Sequence, residues 1–195
     1  MFFRVLYYDR LSSTNDRAKE LALRGAPEGT VVLAAHQTKG RGQFERKWHS
    51  PRGAGLTFSI IVRPDRTPSQ IPLITHFTAK SVAGLLLRRF SLNATLKRPN
   101  DVLVNQRKIS GVLCETEVRQ RQASSGFVVI GIGLNVNTSS KKLVKGATSI
   151  YNELNEKQDL GEVFREVLKE FSIQYKAFQN QRLKESQWIV QEEIA

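Results

Sequence analysis

The sequence predicts an α+β domain in which most strands pair as an antiparallel meander and the helices are segregated from them. Segments rich in β-branched and aromatic residues stand close together in the chain, and turn signals separate several of them. Apolar residues at helical spacing occur in other segments, instead of following every strand as in a doubly wound parallel sheet. The 195 residues hold no repeat, low-complexity tract or linker, so we expect one domain over residues 1–195.

The first third of the chain predicts three strands and one helix. Ser13 and Thr14 are residue types that cap a helix start, and Gly25 is placed to end the helix that follows. β-Branched and aromatic residues dominate the strand segments. The strands are predicted at residues 2–9, 30–37 and 55–64.

The remainder predicts a long helix, a meander of strands and a second long helix. Apolar spacing indicates a helix over residues 69–90, where Pro72 is tolerated because it falls in the first turn. Helical spacing returns at residues 160–178 and, more weakly, at 182–195. Between the helices, strand patterns and turn signals alternate. The meander is predicted from strands at 94–99, 102–104, 108–118 and 127–137, with turns at 105–107 and 124–126.

Composition restricts the compartment and the class of partner. A single cysteine, Cys114, excludes an internal disulfide and indicates a reducing compartment. The N-terminal residues lack the features of a signal peptide and no run is long enough to span a membrane, so we expect a cytoplasmic protein without a membrane partner. The net charge of +12 predicts an anionic partner, which the charge alone leaves open between nucleic acid, a nucleotide and an acidic protein.

The basic loop, residues 38–54, is the first candidate site. Gly40 and Gly42 flank Arg41, so the backbone can approach a ligand while the guanidinium reaches carboxylate or phosphate oxygens. Trp48 offers a flat face on which a base could stack. The loop lacks the spacing of a P-loop or a dinucleotide fingerprint, so by itself it is better explained as a basic surface loop. Further positive charge comes from Arg46, Lys47 and Arg52.

Residues 97–108 form the second candidate. Asn100 and Asp101 lie in a turn signal after Pro99, and the carboxylate of Asp101 is a group that could hold Mg²⁺ near phosphates. Lys108 begins the next strand and could reach an acidic group on the sheet. Taken alone, these residues are also what an ordinary turn and a solvated strand edge would contain.

Two shorter segments complete the set of candidates. Residues 12–15 (SSTN) are polar groups at a helix start, where they also serve as ordinary caps. Residues 131–137 (GIGLNVN) place glycines inside a strand, which permits close approach of a ligand that Asn135 and Asn137 could contact. The sequence shows neither a nucleophile triad nor the spacing of a zinc site.

In their order along the chain these motifs resemble those of the catalytic domain of biotin protein ligases, over about residues 12–150. The shared motifs are Ser-Thr-Asn at 13–15, Gln-x-x-Gly-Arg-Gly at 37–42, Trp-x-Ser-Pro at 48–51, Lys-x-Pro-Asn-Asp at 97–101, Lys-x-x-Gly-x-x-x-Glu at 108–115, Gly-x-Gly-x-Asn at 131–135 and Ala-Thr-Ser-Ile at 147–150. The resemblance implies a mixed, mainly antiparallel sheet with helices packed on it, as in biotin and lipoate protein ligases and class II aminoacyl-tRNA synthetases.

The resemblance also implies an activity. Such enzymes activate biotin with ATP as biotinyl-5'-adenylate, release pyrophosphate, and transfer biotin to one lysine of a biotin carboxyl carrier domain. Both ATP and biotin would be substrates, with Mg²⁺ as the metal. A carboxylate and a triphosphate repel each other, so the site must supply fixed positive charge and amide donors where they meet.

Carried over residue by residue, the resemblance assigns roles to most of the candidate residues. Lys108 and Arg41 would neutralise the biotin carboxylate and the α-phosphate, and Asp101 would be the third catalytic residue and the tentative Mg²⁺ ligand. The expected biotin-binding residues are Ser13, Thr14, Asn15, Gln37, Gly40, Arg41, Gly42, Gln43, Lys108 and Gly111. The expected nucleotide-binding residues are Arg41, Trp48, Asn100, Lys108 and Asn135.

Two residues depart from the family pattern. Gln43 stands where many members have a second arginine, and Arg98 stands where the Lys-Trp-Pro-Asn-Asp motif has tryptophan. The loss of a charge at Gln43 would weaken retention of the adenylate. The Arg98 guanidinium would either attract phosphate or point to solvent. Lipoate ligases share the fold class but generally lack this combination of Gly-Arg-Gly and Pro-Asn-Asp.

The resemblance leaves alternatives in domain content and function. We expect neither the DNA-binding winged helix of some members nor the small C-terminal β domain, and therefore no DNA partner; a homodimer is left open. The alternatives to a biotin ligase are a non-catalytic binder of biotin or nucleotide and a lipoate or octanoate ligase. The further alternative, a nucleic-acid-binding protein, is supported only by the net charge and by the basic loop.

Overall fold

The computed structural model describes residues 1–44, 46–64, 71–117 and 126–180, except for the side chain of Ile71. The described residues form one seven-stranded sheet in the spatial order β1-β2-β3-β7-β6-β5-β4. The strands are β1 Arg4–Tyr8, β2 Thr30–Ala34, β3 Gly55–Val62, β4 Ala94–Lys97, β5 Asp101–Val104, β6 Arg107–Glu117 and β7 Phe127–Asn135. Within these residues, no helix has the length and apolar character needed to cross a membrane.

The sheet is mixed and mainly antiparallel, which confirms the predicted fold class. β1 pairs with β2 in parallel, whereas every other neighbouring pair is antiparallel. The four strands β4 to β7 are neighbours in chain order, so the predicted meander is confirmed. β1 and β2 can be parallel because the first helix connects them across one face of the sheet.

Four α-helices lie in the described residues: α1 Thr14–Leu23, α2 Ile71–Phe90, α3 Ile150–Leu154 and α4 Leu160–Gln179. Asp159 caps α4 by accepting a hydrogen bond from the Glu162 amide at 2.7 Å. The sequence analysis missed α3, because its five residues are too few to show a periodic pattern. Its start is held by the hydroxyl of Ser149, which accepts from the Asn152 amide at 3.1 Å.

The helices lie on opposite faces of the sheet, and alternate residues along a strand pack against different helices. In β3, Phe58, Ile60 and Val62 pack into the main core with α2 and α4, whereas Ile61 packs into a second core with α1. The main core contains a tight aromatic group, in which the Phe77 ring lies 5.3 Å from that of Phe178. α1 is much shorter than α2 and α4, so it leaves part of its own face of the sheet uncovered.

The uncovered area is where β3, β7 and β6 carry small or polar residues on the α1 face. Thr57 and Ser59 of β3 and Gly131 and Gly133 of β7 lie two residues apart in register, so they form one patch. Apolar residues occupy the alternate positions of the same strands, which face α2 and α4. The position of the functional site therefore follows from which face of each strand carries apolar side chains.

Strand and helix ends differ from the predictions by a few residues. The strand predicted at 30–37 ends at Ala34, since the chain leaves the sheet there and only Gln37 makes a further single bridge, with Leu11. The strand predicted at 127–137 ends at Asn135. The helix predicted at 182–195, residues 69–70 of the second helix, residue 118 and residues 124–125 lie outside the described residues.

Candidate functional site

A cavity of about 340 Å³ opens on the α1 face, between the basic loop and the patch of small residues on β3, β6 and β7. It lies at the start of α1, at the positive end of the helix dipole. The structure brings twelve of the predicted site residues to this cavity. They are Ser13, Thr14, Asn15, Gln37, Arg41, Gly42, Gln43, Trp48, Asn100, Asp101, Lys108 and Gly111.

Hydrogen-bonding side chains form one end of the cavity. The amide of Thr14 donates to Gln37 Oε1 at 2.7 Å, and the Thr14 hydroxyl donates to the same oxygen at 3.0 Å. From β3, the Ser59 hydroxyl contacts Thr14 Oγ1 at 2.8 Å and Asn15 Oδ1 at 2.6 Å. Since the Gln37 carbonyl oxygen is occupied in this way, its amide nitrogen is the part of the side chain left to contact a ligand.

The glycines of β7 make room for these groups. A Cβ at Gly131 would lie 2.2 Å from Asn15 Oδ1, which is closer than atoms can approach. The side chain of Asn15 therefore reaches across the sheet only because residue 131 is glycine. Ser13 is the N-cap of α1, and its hydroxyl accepts from the Asp16 amide.

An ion pair between Lys108 and Asp101 lies among the other cavity residues. Lys108 Nζ is 2.6 Å from Asp101 Oδ1, across the paired strands β5 and β6. The Lys108 side chain is about one third exposed and that of Asp101 is 18% exposed. The backbone of Lys108 is fixed on both sides, because its amide donates to Gly146 and its carbonyl accepts from Thr148. The lysine thus projects into the cavity from a rigid strand.

Neighbouring side chains complete this region. Asn100 Nδ2 donates to the Val112 carbonyl at 2.8 Å, which fixes the turn before β5. Lys108 Nζ also lies 5.7 Å from the centre of the Trp48 indole, within the range of a cation–π contact. The lysine is therefore held between a carboxylate and an aromatic face.

The Trp48 indole lies against β7 where Gly133 has no side chain. A Cβ at Gly133 would lie 2.3 Å from Trp48 Cε2, and one at Gly111 would lie 3.4 Å from Cζ3. The indole N–H is buried without a hydrogen-bond partner among the described residues. The two glycines therefore create the space that brings Trp48 into the cavity.

Gly40, one of the expected biotin-binding residues, does not line the cavity. A Cβ at Gly40 would lie 2.5 Å from the Trp48 carbonyl oxygen, and the Trp48 amide donates to the Gly40 carbonyl at 3.0 Å. The absence of a side chain at Gly40 lets the two ends of the basic loop meet. Arg41 and Lys47 form a bridge beside this contact, so the loop doubles back on itself.

Asn135 lies apart from the other predicted residues. Its side chain is buried and does not line the cavity, and Nδ2 donates to the Thr148 carbonyl at 3.0 Å. Asn137 likewise bonds to the backbone of Gln158. In the described structure both asparagines fix the segments that follow β7 onto the sheet.

The charge around the cavity is strongly positive. The described lining residues include six basic side chains and one carboxylate, that of Asp101. The sequence analysis left open whether Arg98 points to phosphate or to solvent, and in the structure Arg98 lines the cavity. Arg52 pairs with Asp9 at 2.5 Å and does not line the cavity. Among the described residues, no group of three His, Cys, Asp or Glu side chains is placed to hold a metal. The basic lining residues are Arg41, Arg46, Lys47, Lys97, Arg98 and Lys108.

Sequence reasoning missed two polar residues of β3 and two carboxylates beside Arg41. Thr57 lines the cavity and Ser59 bonds to Thr14 and Asn15, and strand alternation was the signal that could have placed both. Arg41 Nη2 lies 2.5 Å from Asp16 Oδ1 and 3.2 Å from both oxygens of Glu115. Glu115 had been noted only as the last position of a motif, without a role.

Comparisons with known proteins place this chain among biotin and lipoate protein ligases. The family model described as "Biotin/lipoate A/B protein ligase family" matches residues 7–135. The bifunctional ligase/repressor BirA of Bacillus subtilis is 38% identical over 178 residues, which are 89% of this chain and 54% of that protein. The biotin--[acetyl-CoA-carboxylase] ligase of Mycobacterium tuberculosis is 33% identical over 143 residues, or 71% of this chain and 51% of that protein. The chain spans about half the length of these curated relatives.

A solved structure shares the fold. The biotin protein ligase from Aquifex aeolicus in complex with biotin and ATP superposes with a TM-score of 0.77. It is 31% identical in sequence, and the match covers 92% of this chain and 73% of that one.

Proposed function

The chain belongs to the biotin/lipoate A/B protein ligase family, and we propose that it is an ATP-dependent biotin protein ligase. In the first step a biotin carboxylate oxygen attacks the α-phosphorus of ATP, and the bond to the bridging oxygen breaks to release pyrophosphate. In the second step a lysine amine of a carrier domain attacks the carbonyl carbon of the mixed anhydride, and AMP leaves. The lysine loses its proton and the biotinyl amide is formed.

The observation that carries this proposal is the meeting of Arg41, Lys108 and Trp48 in one cavity with a hydrogen-bonding end. The first step brings two anions together, and its barrier falls when fixed cations stand where their charges meet. Lys108, on a rigid strand, and Arg41, on the basic loop, supply these cations. Trp48 supplies an aromatic surface for adenine beside Lys108.

The other end of the cavity suits the ureido ring of biotin. That ring carries one carbonyl acceptor and two N–H donors, with an apolar chain leading to the carboxylate. The donors offered by the protein are the Gln37 amide and the polar groups at the start of α1, and the acceptors include the hydroxyl oxygens of Thr14 and Ser13. Lipoate and octanoate have no polar group to satisfy these positions, which favours biotin over either.

Asp101 fits the way Mg²⁺ is bound beside nucleotides. This ion is commonly held by one or two carboxylates together with substrate phosphates and water, so a three-ligand protein cage is not required. Apart from its ion pair with Lys108, the buried Oδ1 of Asp101 has no hydrogen-bond partner among the described residues. Asp101, next to Asn100, would hold the metal, and the metal would neutralise charge on the phosphates.

The relatives support the substrates and the acceptor. The Aquifex aeolicus ligase was solved with biotin and ATP, and the Mycobacterium tuberculosis relative is named for acetyl-CoA carboxylase as its target. We accordingly propose a biotin carboxyl carrier domain as the acceptor for this chain and a cytoplasmic location.

Pyrophosphate release tests the first step. We expect release from ATP on addition of biotin, and little with lipoate or octanoate. Release with lipoate or octanoate but not biotin would support the alternative ligase. Biotin binding without release in a folded sample would support the non-catalytic binder, which loss of charge at Gln43 motivates. Mass spectrometry of a carrier domain, before and after incubation, tests the second step.

The net positive charge calls for one further measurement, that of binding to nucleic acid. We expect no specific DNA binding, although one relative is named a ligase/repressor. Binding to random DNA that weakens steeply with salt would favour the nucleic-acid alternative. Sedimentation at several protein concentrations decides whether the chain forms the homodimer that the sequence analysis left open.

A further inference from the structure

A continuous hydrogen-bond network joins the two ends of the cavity through Glu115. One oxygen of Glu115, Oε2, accepts from Asn15 Nδ2 at 2.6 Å, and Asn15 in turn bonds to Ser59. Both Glu115 oxygens accept from Arg41 Nη2 at 3.2 Å. Arg41 is also paired with Asp16 in the first turn of α1. Glu115 is therefore bonded to residues at the hydrogen-bonding end and to the cation of the basic loop.

The geometry points to Glu115 as a positioning residue, which orients Arg41 toward the reacting anions and Asn15 toward the ring of the bound acid. This inference rests on the proposed function. Glu115 itself need not touch substrate, because it acts through the two residues that it holds.

The pattern of bonds on Arg41 agrees with this role. The hydrogen bonds of the guanidinium to Asp16 and to both oxygens of Glu115 all use Nη2. A guanidinium has five N–H donors in a rigid planar fork, so fixing one nitrogen fixes the direction of the other two. Nε and Nη1 thus remain for a carboxylate or phosphate, in an orientation set by Asp16 and Glu115.

The location of Glu115 also agrees with this role. Gly111, Leu113 and Glu115 alternate on the α1 face of β6, the face that carries the cavity, and Arg41 is the cation it pairs with there. The side chain is about one third exposed, so the ion pair itself adds little to folding stability. A carboxylate that stabilises the fold weakly but contacts two cavity residues is better explained by orientation of those residues.

Three substitutions distinguish the contact of Glu115 with Arg41 from its contact with Asn15. Glu115→Gln keeps an oxygen that can accept from Asn15 but removes the charge that holds Arg41. Glu115→Ala removes both contacts. Asp16→Asn weakens only the Arg41 contact. The matched control is Glu162→Gln, which removes a comparably exposed ion pair with Arg89 on the opposite face of the sheet.

Kinetic and binding measurements distinguish positioning from stability. We expect Glu115→Gln and Asp16→Asn to speed release of biotinyl-adenylate about two- to fivefold, the range of an exposed ion pair, and to raise the biotin Kd measured without ATP by no more than that factor. Glu115→Ala should in addition raise that Kd about tenfold, since Asn15 loses a charged acceptor. Glu162→Gln should change neither quantity.

A protease measurement tests the restraint on Arg41 independently of catalysis. Trypsin must take the Arg41 side chain into its own specificity pocket to cut between residues 41 and 42, so the ion pairs protect this bond. We expect cleavage there to be about two- to fivefold faster in Glu115→Gln than in the wild type, and cleavage after the exposed Lys145 to be unchanged.

The outcomes separate this inference from the proposed function. A wild type that releases no pyrophosphate counts against the proposed function, whereas the trypsin comparison still decides whether Glu115 restrains Arg41. Wild-type rates of trypsin cleavage and of adenylate release in Glu115→Gln would overturn the role toward Arg41. An unchanged biotin Kd in Glu115→Ala would overturn the role toward Asn15.

Discussion

Lys108 Nζ lies 2.6 Å from Asp101 Oδ1, and both side chains line the cavity in which we place biotin and ATP. The pair joins the cation proposed for the α-phosphate to the carboxylate proposed for the metal. When substrates bind, Lys108 would pair with a phosphate and Asp101 would pair with a cation. The ion pair therefore describes the ligand-free site, and it keeps the Asp101 charge compensated until then.

Lys108→Ala tests the first catalytic assignment. We expect pyrophosphate release to fall by about 10²- to 10³-fold, the usual effect of removing one group that stabilises transition-state charge. The melting temperature should change little, because the Lys108 side chain is partly exposed. In the melting measurement alone, the double variant Lys108→Ala with Asp101→Asn controls for the unpaired carboxylate, because Asp101 is itself proposed to hold the metal. Unchanged pyrophosphate release in the single variant would refute the role of Lys108.

Arg41→Ala tests whether one cation of the basic loop serves both substrates. We expect weaker binding of biotin and of ATP together, since the biotin carboxylate and the α-phosphate would share this guanidinium. Titration calorimetry with each ligand alone measures the two effects. Arg52→Ala is the control, because Arg52 belongs to the same loop but pairs with Asp9 and does not line the cavity. Wild-type affinity for both ligands in Arg41→Ala would show that the loop does not hold them.

Gly133→Ala tests the placement of Trp48. The added methyl would lie 2.3 Å from Trp48 Cε2, so the indole must move. We expect the ATP Kd to rise about tenfold or more, in line with 1–3 kcal/mol for stacking of a base on an aromatic ring. In the background of Trp48→Ala, the same glycine substitution should add almost nothing to the loss. Independent, additive losses would show that Gly133 contributes in another way.

The sequence predicted the fold class because local patterns and sheet layout agree in this chain. Grouped strands with turn signals produced the meander β4 to β7, and capping residues marked the start of α1. The parallel pairing of β1 with β2 could not be read locally, since it depends on where α1 packs. The five-residue helix α3 was missed because its start is fixed by Ser149 and by contacts distant in sequence, not by periodicity.

The residues of the candidate site could likewise be predicted only in part. Motif order brought together residues from α1, the basic loop, β5 and β6, which the structure places around one cavity. It could not show that Asn135 is bonded to the Thr148 carbonyl, because that contact depends on the path of the chain after β7. Nor could it assign Glu115, whose two contacts come from segments 74 and 100 residues away.

Arg98→Ala tests the departure from the family pattern. Arg98 is an exposed side chain at the cavity, beside Lys97, where it can attract the β- and γ-phosphates. We expect the KM for ATP to rise about two- to fivefold, the range of an exposed charge pair, and to become less sensitive to salt. Biotin affinity should stay unchanged. Arg98→Trp, which restores the family residue, should show the same loss of salt sensitivity; an unaltered KM in both variants would mean that Arg98 faces solvent.

Alkylation of the single cysteine tests the packing behind the site. Burial is the main cause that raises the pKa of the Cys114 thiol to about 12, a net value in which a hydrogen bond with Thr75 lowers the pKa and the adjacent Glu115 carboxylate raises it. A raised pKa keeps the thiol protonated, so the reactive thiolate is scarce at neutral pH and increases tenfold for each pH unit below about 12. We therefore expect iodoacetamide labelling, followed by mass spectrometry, to accelerate about a hundredfold between pH 7.5 and 9.5, whereas an ordinary thiol with a pKa of about 8.5 levels off above pH 9. The protein unfolded in urea is the control and should follow the ordinary curve. A labelling rate that levels off near pH 9 in the folded protein would show that the thiol is not shielded by the main core, against which the partly buried Cys114 packs.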